Sequence, residues 1–196
     1  MNYKLILAVI GIIGFIQWYN NRPVSLGPGA FAPDEPVQVD IKKPTPFEFK
    51  GFTFTPLAEF DIHARVLSRE NYYAGVEADL SPIDLALGWG AMSDESVLAY
   101  FDISQRNRWY HWSYKELPIP FNQVVESSAN MHMIPADDFV HSQLDDVREG
   151  NIIRLKGKLV AISRSDGWRW KSSLTRKDSG GGACEVIYVE SFEIER

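Results

Sequence analysis

From residue 47 onward, apolar and polar positions alternate over long stretches, the period-two mark of strands with one buried face. "FEFKGFTFT" (47–55) alternates about Lys50-Gly51 and predicts a hairpin turning there. "FDIHARV" (60–66) sets Phe60, Ile62, Ala64 and Val66 against Asp61, His63 and Arg65, which predicts a half-buried strand. The aromatic run "RWYHWSY" (108–114) predicts another, and strands are expected over 152–164, 168–175 and 186–194. Helical spacing is rarer. Val140, Leu144 and Val147 form an apolar stripe in a helix over 135–147, stopped by Gly150. Ser81-Pro82-Ile83-Asp84 reads as a helix start, ended by Gly88 and Gly90. Ser93 is expected to cap a second short helix to Phe101, with Asp94 and Glu95 against its dipole. The sum predicts an α+β fold: one antiparallel, strand-rich domain with a few short helices. "NIIRLKGKLVAI" (151–162), the hairpin after it and the last strand also fit the style of a partly open oligonucleotide/oligosaccharide-binding barrel.

Two segments precede this pattern. "LILAVIGIIGFIQWY" (5–19) has one polar side chain, Gln17. Its fifteen residues rise about 22 Å, and counting from Tyr3 reaches the lower edge of the spanning range. Tyr3, Trp18 and Tyr19 then fall at the two interfaces. Residues 1–23 are expected to be an uncleaved membrane anchor, with a cleaved signal and a soluble core helix as competing readings. Against cleavage, the nearest A-x-A-like pattern, "AFA" at 30–32, lies far from the apolar run and precedes Pro33. Lys4 and the free amine favour the N-terminus inside. The expected location is therefore the inner (cytoplasmic) membrane, single-pass, with the globular domain outside the cytoplasm in the periplasm. Residues 24–46 hold Pro28, Pro33, Pro36, Pro44 and Pro46 and predict an extended linker. The globular domain is expected over 47–196.

Composition narrows the class. Hydrophobic content of 45% and charged content of 23% are ordinary for a globular protein and argue against disorder. The domain is long enough to bury a core without disulfides or metal, and a single cysteine, Cys184, excludes a stapled scaffold. The net charge of −6 is uneven: between 148 and 178, nine Lys/Arg stand against Glu149, Asp166 and Asp178. A basic segment on an acidic body marks a candidate anion-binding face. Asp166-Gly167 predicts a two-residue hairpin turn. Centred there, it sets Leu159, Ala161 and Ser163 opposite Leu174, Ser172 and Trp170. The other face gathers Arg154, Lys156, Lys158, Arg169 and Lys171, the candidate binding residues. Like charges opposite one another destabilise a ribbon, so relief is expected from Glu190, Glu193 and Glu195 of the last strand or from an external anion.

Catalytic motifs are scarce. His63, His111, His132 and His141 show no H-x-x-x-H spacing and there is no C-x-x-C, so neither a metal site nor a cofactor is expected. "NMHMIP" (130–135) puts His132 on an expected loop, as an acid/base or as a structural residue whose methionine neighbours fill the core. Cys184 follows three glycines, either as an inert thiol or as a nucleophile near Arg176 and Lys177. The glycine run lacks a phosphate-loop pattern. No nucleophile–base–orienter set is visible. The expectation is a membrane-tethered accessory or binding domain, engaging an anionic or protein partner through the basic hairpin. A hydrolase using His132 or Cys184 is the alternative. The membrane is engaged through residues 5–19, and no nucleic acid partner is expected.

"LSPIDLALGWGAMSD" (80–94), "NMHMIPAD" (130–137) and "DGWRWKSSLTRKDSGGGACEVIYVE" (166–190) resemble phrases in a group of uncharacterised bacterial proteins. Those carry a short hydrophobic N-terminal segment and one extracytoplasmic domain. The likeness runs along most of the chain. It implies a bacterial source and a membrane-tethered layout, and it carries no activity or site residues.

Overall fold

The alternation is realised as ten strands and five α-helices in the computed structural model, which describes residues 3–20, 22–177 and 182–196. In order these are α1 (Tyr3–Asn20), β1 (Val37–Asp40), β2 (Phe47–Phe49), β3 (Phe52–Asn71), α2 (Val76–Leu80), β4 (Ile83–Gly88), α3 (Glu95–Leu98), β5 (Phe101–Arg106), β6 (Trp109–Tyr114), α4 (Phe121–Glu126), β7 (Ser128–Pro135), α5 (Asp138–Asp146), β8 (Ile152–Ser163), β9 (Arg169–Lys171) and β10 (Glu185–Ile194). The result is a strand-rich α+β domain with a mixed sheet; β5 and β6 form a separate two-stranded sheet.

The long β3 organises the domain. Thr53 to Arg65 run antiparallel to β8, and Arg65 to Asn71 antiparallel to β4. β4 pairs β7 antiparallel, β7 pairs β10 in parallel, and β10 pairs β8 antiparallel. The pairings therefore run β3–β4–β7–β10–β8 and return to β3. Ile62, Leu85, Met133, Leu155 and Ile187 from these strands form one apolar cluster, joined by Val140 and Leu144 of α5.

One alternating pattern on β3 feeds two cores. Phe54 pairs with Ile162 and Pro56 with Val160, but beyond a bulge Ala58 pairs with Leu159 and Phe60 with Gly157. The extra residue, Leu57, switches the even-numbered side chains of β3 to the other face of the sheet. Phe52 and Phe54 thus join a second cluster with Val160, Ile162 and Val186, while Ala58 to Val66 line the first. Along β8 the switch appears as adjacent buried residues, Leu159 and Val160.

Several expectations are met. Lys50 and Gly51 both have positive φ (49° and 79°), the geometry of a two-residue hairpin turn. Val140, Leu144 and Val147 are buried as the stripe predicts, although the helix starts later, with Asp137 accepting from the Val140 N–H (2.8 Å) and Pro135 ending β7. Others are corrected. Residues 83–88 are a strand, and all six are buried; a strand covered on both faces has no alternation to betray it. Ser81 instead closes α2. Asp94, not Ser93, caps α3, which ends at Leu98, and Phe101 opens β5. The expected loop around His132 is the interior of β7.

The hairpin after β8 is shifted by one residue. Ser163 pairs with Arg169, Ala161 with Lys171, and the Arg164 N–H donates to Trp168 O (3.0 Å). The connection is therefore the three residues Ser165-Asp166-Gly167, with Gly167 at φ 94°, a turn followed by a glycine bulge. β9 ends at Lys171, and Leu174 is exposed rather than turned to the core.

Residues 24–46 are extended, as their prolines require, but they are docked along the domain rather than free. The Val24 N–H donates to Glu149 O (2.8 Å), Ala32 is fully buried, and β1 pairs with β3. Helix α1 exposes apolar side chains such as Leu5, Ile10, Ile13 and Phe15. Among the described residues no helix is long and apolar enough to cross a membrane.

Candidate functional site

Arg154, Lys156 and Lys158 project from one face of β8, between acidic positions on β3 and β10. Lys156 lies 3.1 Å from Asp61, Arg154 3.3 Å from Glu195, and Lys158 meets Glu190 and, at 4.0 Å, Glu59. The relief anticipated from the last strand is present, and β3 supplies as much. Such exposed pairs are each worth about 0–1 kcal/mol. Arg169 and Lys171 sit opposite Ser163 and Ala161, and so on the other face of β8. The five cations do not share a surface. Trp170, opposite Ile162, and Trp168 cover the second apolar cluster instead.

A different set of polar groups converges on the outer face of β4 and β7. Leu85, Met131 and Met133 point into the first core, so Asp84, Asn130 and His132 point outward. Asp84 and His132 are cross-strand partners. His132 Nδ1 lies 2.9 Å from Asp84 Oδ1, at ion-pair distance but off the line of a hydrogen bond. Arg108, at the β5–β6 turn, donates from Nη1 to Asp84 Oδ1 (2.7 Å) and to Ser81 O (2.9 Å). Its guanidinium carbon lies 3.7 Å from the Tyr72 ring centroid, and its backbone N–H donates to the Tyr72 hydroxyl (2.8 Å). Burial is the main cause that raises the Tyr72 pKa. Asn107 and Arg108 both have positive φ (54° and 67°), a conformation that asparagine tolerates and that the contacts of Arg108 offset at the second position. Trp170 closes over His132 with ring centroids 4.9 Å apart. Asp84 is wholly buried, and its Oδ2 has no hydrogen-bond partner among the described residues.

Asn130 extends the row. Its Nδ2 donates to Arg108 O (3.1 Å) and lies 3.7 Å from Cys184 Sγ, while its Oδ1 accepts from Gln105 (2.6 Å). Cys184 Sγ also donates to Arg108 O at 3.8 Å. Next to it, buried Glu185 lies 3.0 Å from Arg176 Nε. The glycine run before Cys184 lies in part outside the described residues.

Beside Asn130 and Cys184 opens a cleft of about 250 Å³. Trp109, Tyr110 and Trp112 of β6 and Phe121 of α4 supply aromatic walls, and Arg176 and Glu185 supply charge. The Tyr110 hydroxyl is pushed up to about 12 by burial, against its contact with Ser128 (3.3 Å), and stays neutral at ordinary pH.

The other histidines lie apart: His63 Nε2 is 2.9 Å from Glu195, and His141 is 3.9 Å from Asp145. Among the described residues no three His, Cys, Asp or Glu side chains are grouped to hold a metal ion. The sequence reading singled out His132 and Cys184 but missed Asp84, Arg108 and Asn130. Asp84 was hidden by the false helix start, and the others are joined only by non-local strand pairing. No family model matches this chain, and no curated protein or solved structure shows significant similarity to it.

Proposed function

We propose that the protein is a membrane-tethered binding domain of the oligonucleotide/oligosaccharide-binding barrel type, and that it holds a saccharide unit in the aromatic cleft. The strand order supports the barrel reading: β3, β4, β7, β8 and β10 pair in the order 1-2-3-5-4-1, with one parallel pair and α5 between the third and fourth strands. Such barrels bind ligands on the face of strands 2 and 3, bounded by loops 1–2 and 4–5. Here that face carries Asp84, Asn130 and His132, and those loops carry Tyr72, Trp170, Arg176 and Cys184. The observation that carries the reading is the coincidence of the aromatic cleft with this face. Flat aromatic walls beside a few fixed polar groups suit a ring that is apolar on its faces and polar at its rim. Nucleic acid is disfavoured, because Arg108 and Arg176 are tied to Asp84 and Glu185 and the chain is acidic overall.

The tether is α1. Its eighteen residues rise about 27 Å, and from Leu5 to Ile16 every residue is apolar, a surface suited to lipid rather than water. The domain then lies outside the cytoplasm, at the inner membrane, where glycans are available. The test is a tryptophan-fluorescence titration of the full chain in mild detergent with short N-acetylglucosamine oligomers and, separately, a single-stranded oligonucleotide. The sugar should give a saturable change that Trp112→Ala and Asn130→Ala abolish. Response to the oligonucleotide alone, or to neither, overturns the proposal.

Asp84 beside His132 also favours a second reading, a hydrolase using His132 or Cys184. In that case Cys184 should react rapidly with iodoacetamide at neutral pH, and His132→Gln should slow it; a sluggish thiol, indifferent to His132→Gln, removes this alternative.

A further inference from the structure

The strap between α1 and the domain is clamped at its very start. Glu95 accepts from Ser25 Oγ (2.6 Å), the Leu26 N–H (2.8 Å), the Gly27 N–H (2.9 Å) and Arg65 (3.1 Å). Asp94 accepts from the Gly29 N–H (3.0 Å), and Ser93 Oγ from the Ala32 N–H (3.2 Å). Gly150 presses on the strap so closely that a Cβ there would lie 1.9 Å from Val24 O. Only three residues separate Asn20, the end of α1, from docked Val24, a span of at most about 14 Å. With α1 as the tether, this extended segment would hold the domain close to the bilayer.

Beside the clamp lies a polar cavity that holds Arg65, Glu95, Asp102 and Glu149, and beyond it an aromatic surface. Pro23, Val24 and Ser25 share a cavity of about 400 Å³ with Leu98, Ala99 and Phe101. From Ala99 a second hollow continues over Tyr100 and Phe101 to Ser113, Tyr114 and Lys115. Tyr100 is 48% exposed and Tyr114 44%, although Tyr114 meets the Phe101 ring edge-on and the Trp112 ring at a tilt, with centroids 6.2 and 5.9 Å away. The end of α1 has the same chemistry: Trp18 and Tyr19, with the Arg22 guanidinium 4.0 Å from the Tyr19 ring centroid. Tyrosine and tryptophan prefer the headgroup layer, where a ring is half apolar and half wet.

From this juxtaposition we infer that the base of the β5–β6 hairpin, through Tyr100 and Tyr114, rests in the headgroup layer of the bilayer that holds α1. The inference builds on the proposed tether and adds the orientation of the domain. Lys115 shares its hollow with Asp102 and is followed by Glu116, so these three groups sum to −1 and offer no attraction to anionic lipid; the fitting bilayer is zwitterionic. The cleft is lined by Trp109, Tyr110 and Trp112 of the same hairpin, toward its turn, and so lies farther from the bilayer than Tyr100 and Tyr114 at its base.

The test uses the full chain with Cys184→Ser, in phosphatidylcholine nanodiscs, carrying a single environment-sensitive fluorophore on Ser113→Cys or, as a control, on Ser165→Cys in the β8–β9 loop. The label at 113 should shift to the blue and be quenched by lipid spin-labelled at the headgroup; the label at 165 should do neither. Tyr100→Ser with Tyr114→Ser should remove the shift at 113 while alkaline carbonate still leaves the chain in the membrane. An aqueous spectrum at 113 in a chain that resists carbonate overturns the orientation and leaves the tether standing. A chain that carbonate releases overturns both.

Discussion

Oδ1 of Asp84 lies 2.9 Å from Nδ1 of His132, its cross-strand partner, and accepts from the Arg108 guanidinium at 2.7 Å. One buried carboxylate thus ties together β4, β7 and the tip of the β5–β6 hairpin.

Removing that carboxylate should be costly. Asp84→Ala leaves Arg108 without its counter-charge in a largely dry site, and a loss of about 3–5 kcal/mol is expected in urea unfolding. Asp84→Asn keeps the shape and should lose less. A loss below about 1 kcal/mol for Asp84→Ala would mean that the pair behaves as an exposed one.

The two faces of β8 should respond differently. Leu159 is fully buried, so Leu159→Ala should cost about 2–5 kcal/mol. Lys156 is exposed and pairs with Asp61, so Lys156→Ala should cost about 0–1 kcal/mol. Denaturation midpoints that fall equally for both would mean that the two faces of β8 are wrongly assigned.

Gly157 and Gly167 offer a contrast between steric clash and backbone strain. A Cβ at Gly157 would lie 2.1 Å from Tyr188 O on the neighbouring strand, and backbone cannot yield. At Gly167 nothing lies within 4 Å, but φ is 94°. Gly157→Ala should therefore prevent folding or lower the melting temperature sharply, whereas Gly167→Ala should cost only about 1 kcal/mol. Similar melting curves for the two variants would contradict the β8–β10 register.

Acid should release the strap late. Hydrogen bonds from Ser25, the Leu26 N–H and Arg65 hold the Glu95 carboxyl at about 2, against an ordinary 4.5. A lowered carboxyl contributes stability that is complete above the unfolded value and is lost as pH falls from 4.5 through about 2. Glu149, raised by burial, works in the opposite sense. The amide resonances of Leu26 and Gly27 should titrate near pH 2 and should be shifted at every pH by Glu95→Gln. A midpoint near 4.5 would show that the clamp is not formed in solution.

The sequence was most legible where one face of an element meets water. The stripe of α5, the turn at Lys50-Gly51 and the alternation of β3 could all be read, because each is written in neighbouring residues. β4 could not, since burial on both faces erases the alternation and Ser81-Pro82 imitates a helix start. The bulge at Leu57 leaves the even-numbered pattern of β3 unbroken, so the presence of two cores was invisible. The candidate site was half legible. His132 and Cys184 drew attention by residue type, but Asp84 and Arg108 meet His132 only through pairings across tens of residues. The basic segment misled for a related reason: the acids that neutralise it lie on β3 and β10, and a one-residue shift in the turn moves Arg169 and Lys171 to the opposite face.

The claim that the aromatic cleft is a ligand site can be read through the one native thiol. Cys184 lines the cleft and is partly exposed. The decisive measurement is its rate of alkylation in the intact protein, with and without a saturating N-acetylglucosamine oligomer. The account predicts that the oligomer slows alkylation, and that in Trp112→Ala, with the fold intact by circular dichroism, it no longer does. A rate unchanged by the oligomer at every concentration in the wild-type chain would contradict it.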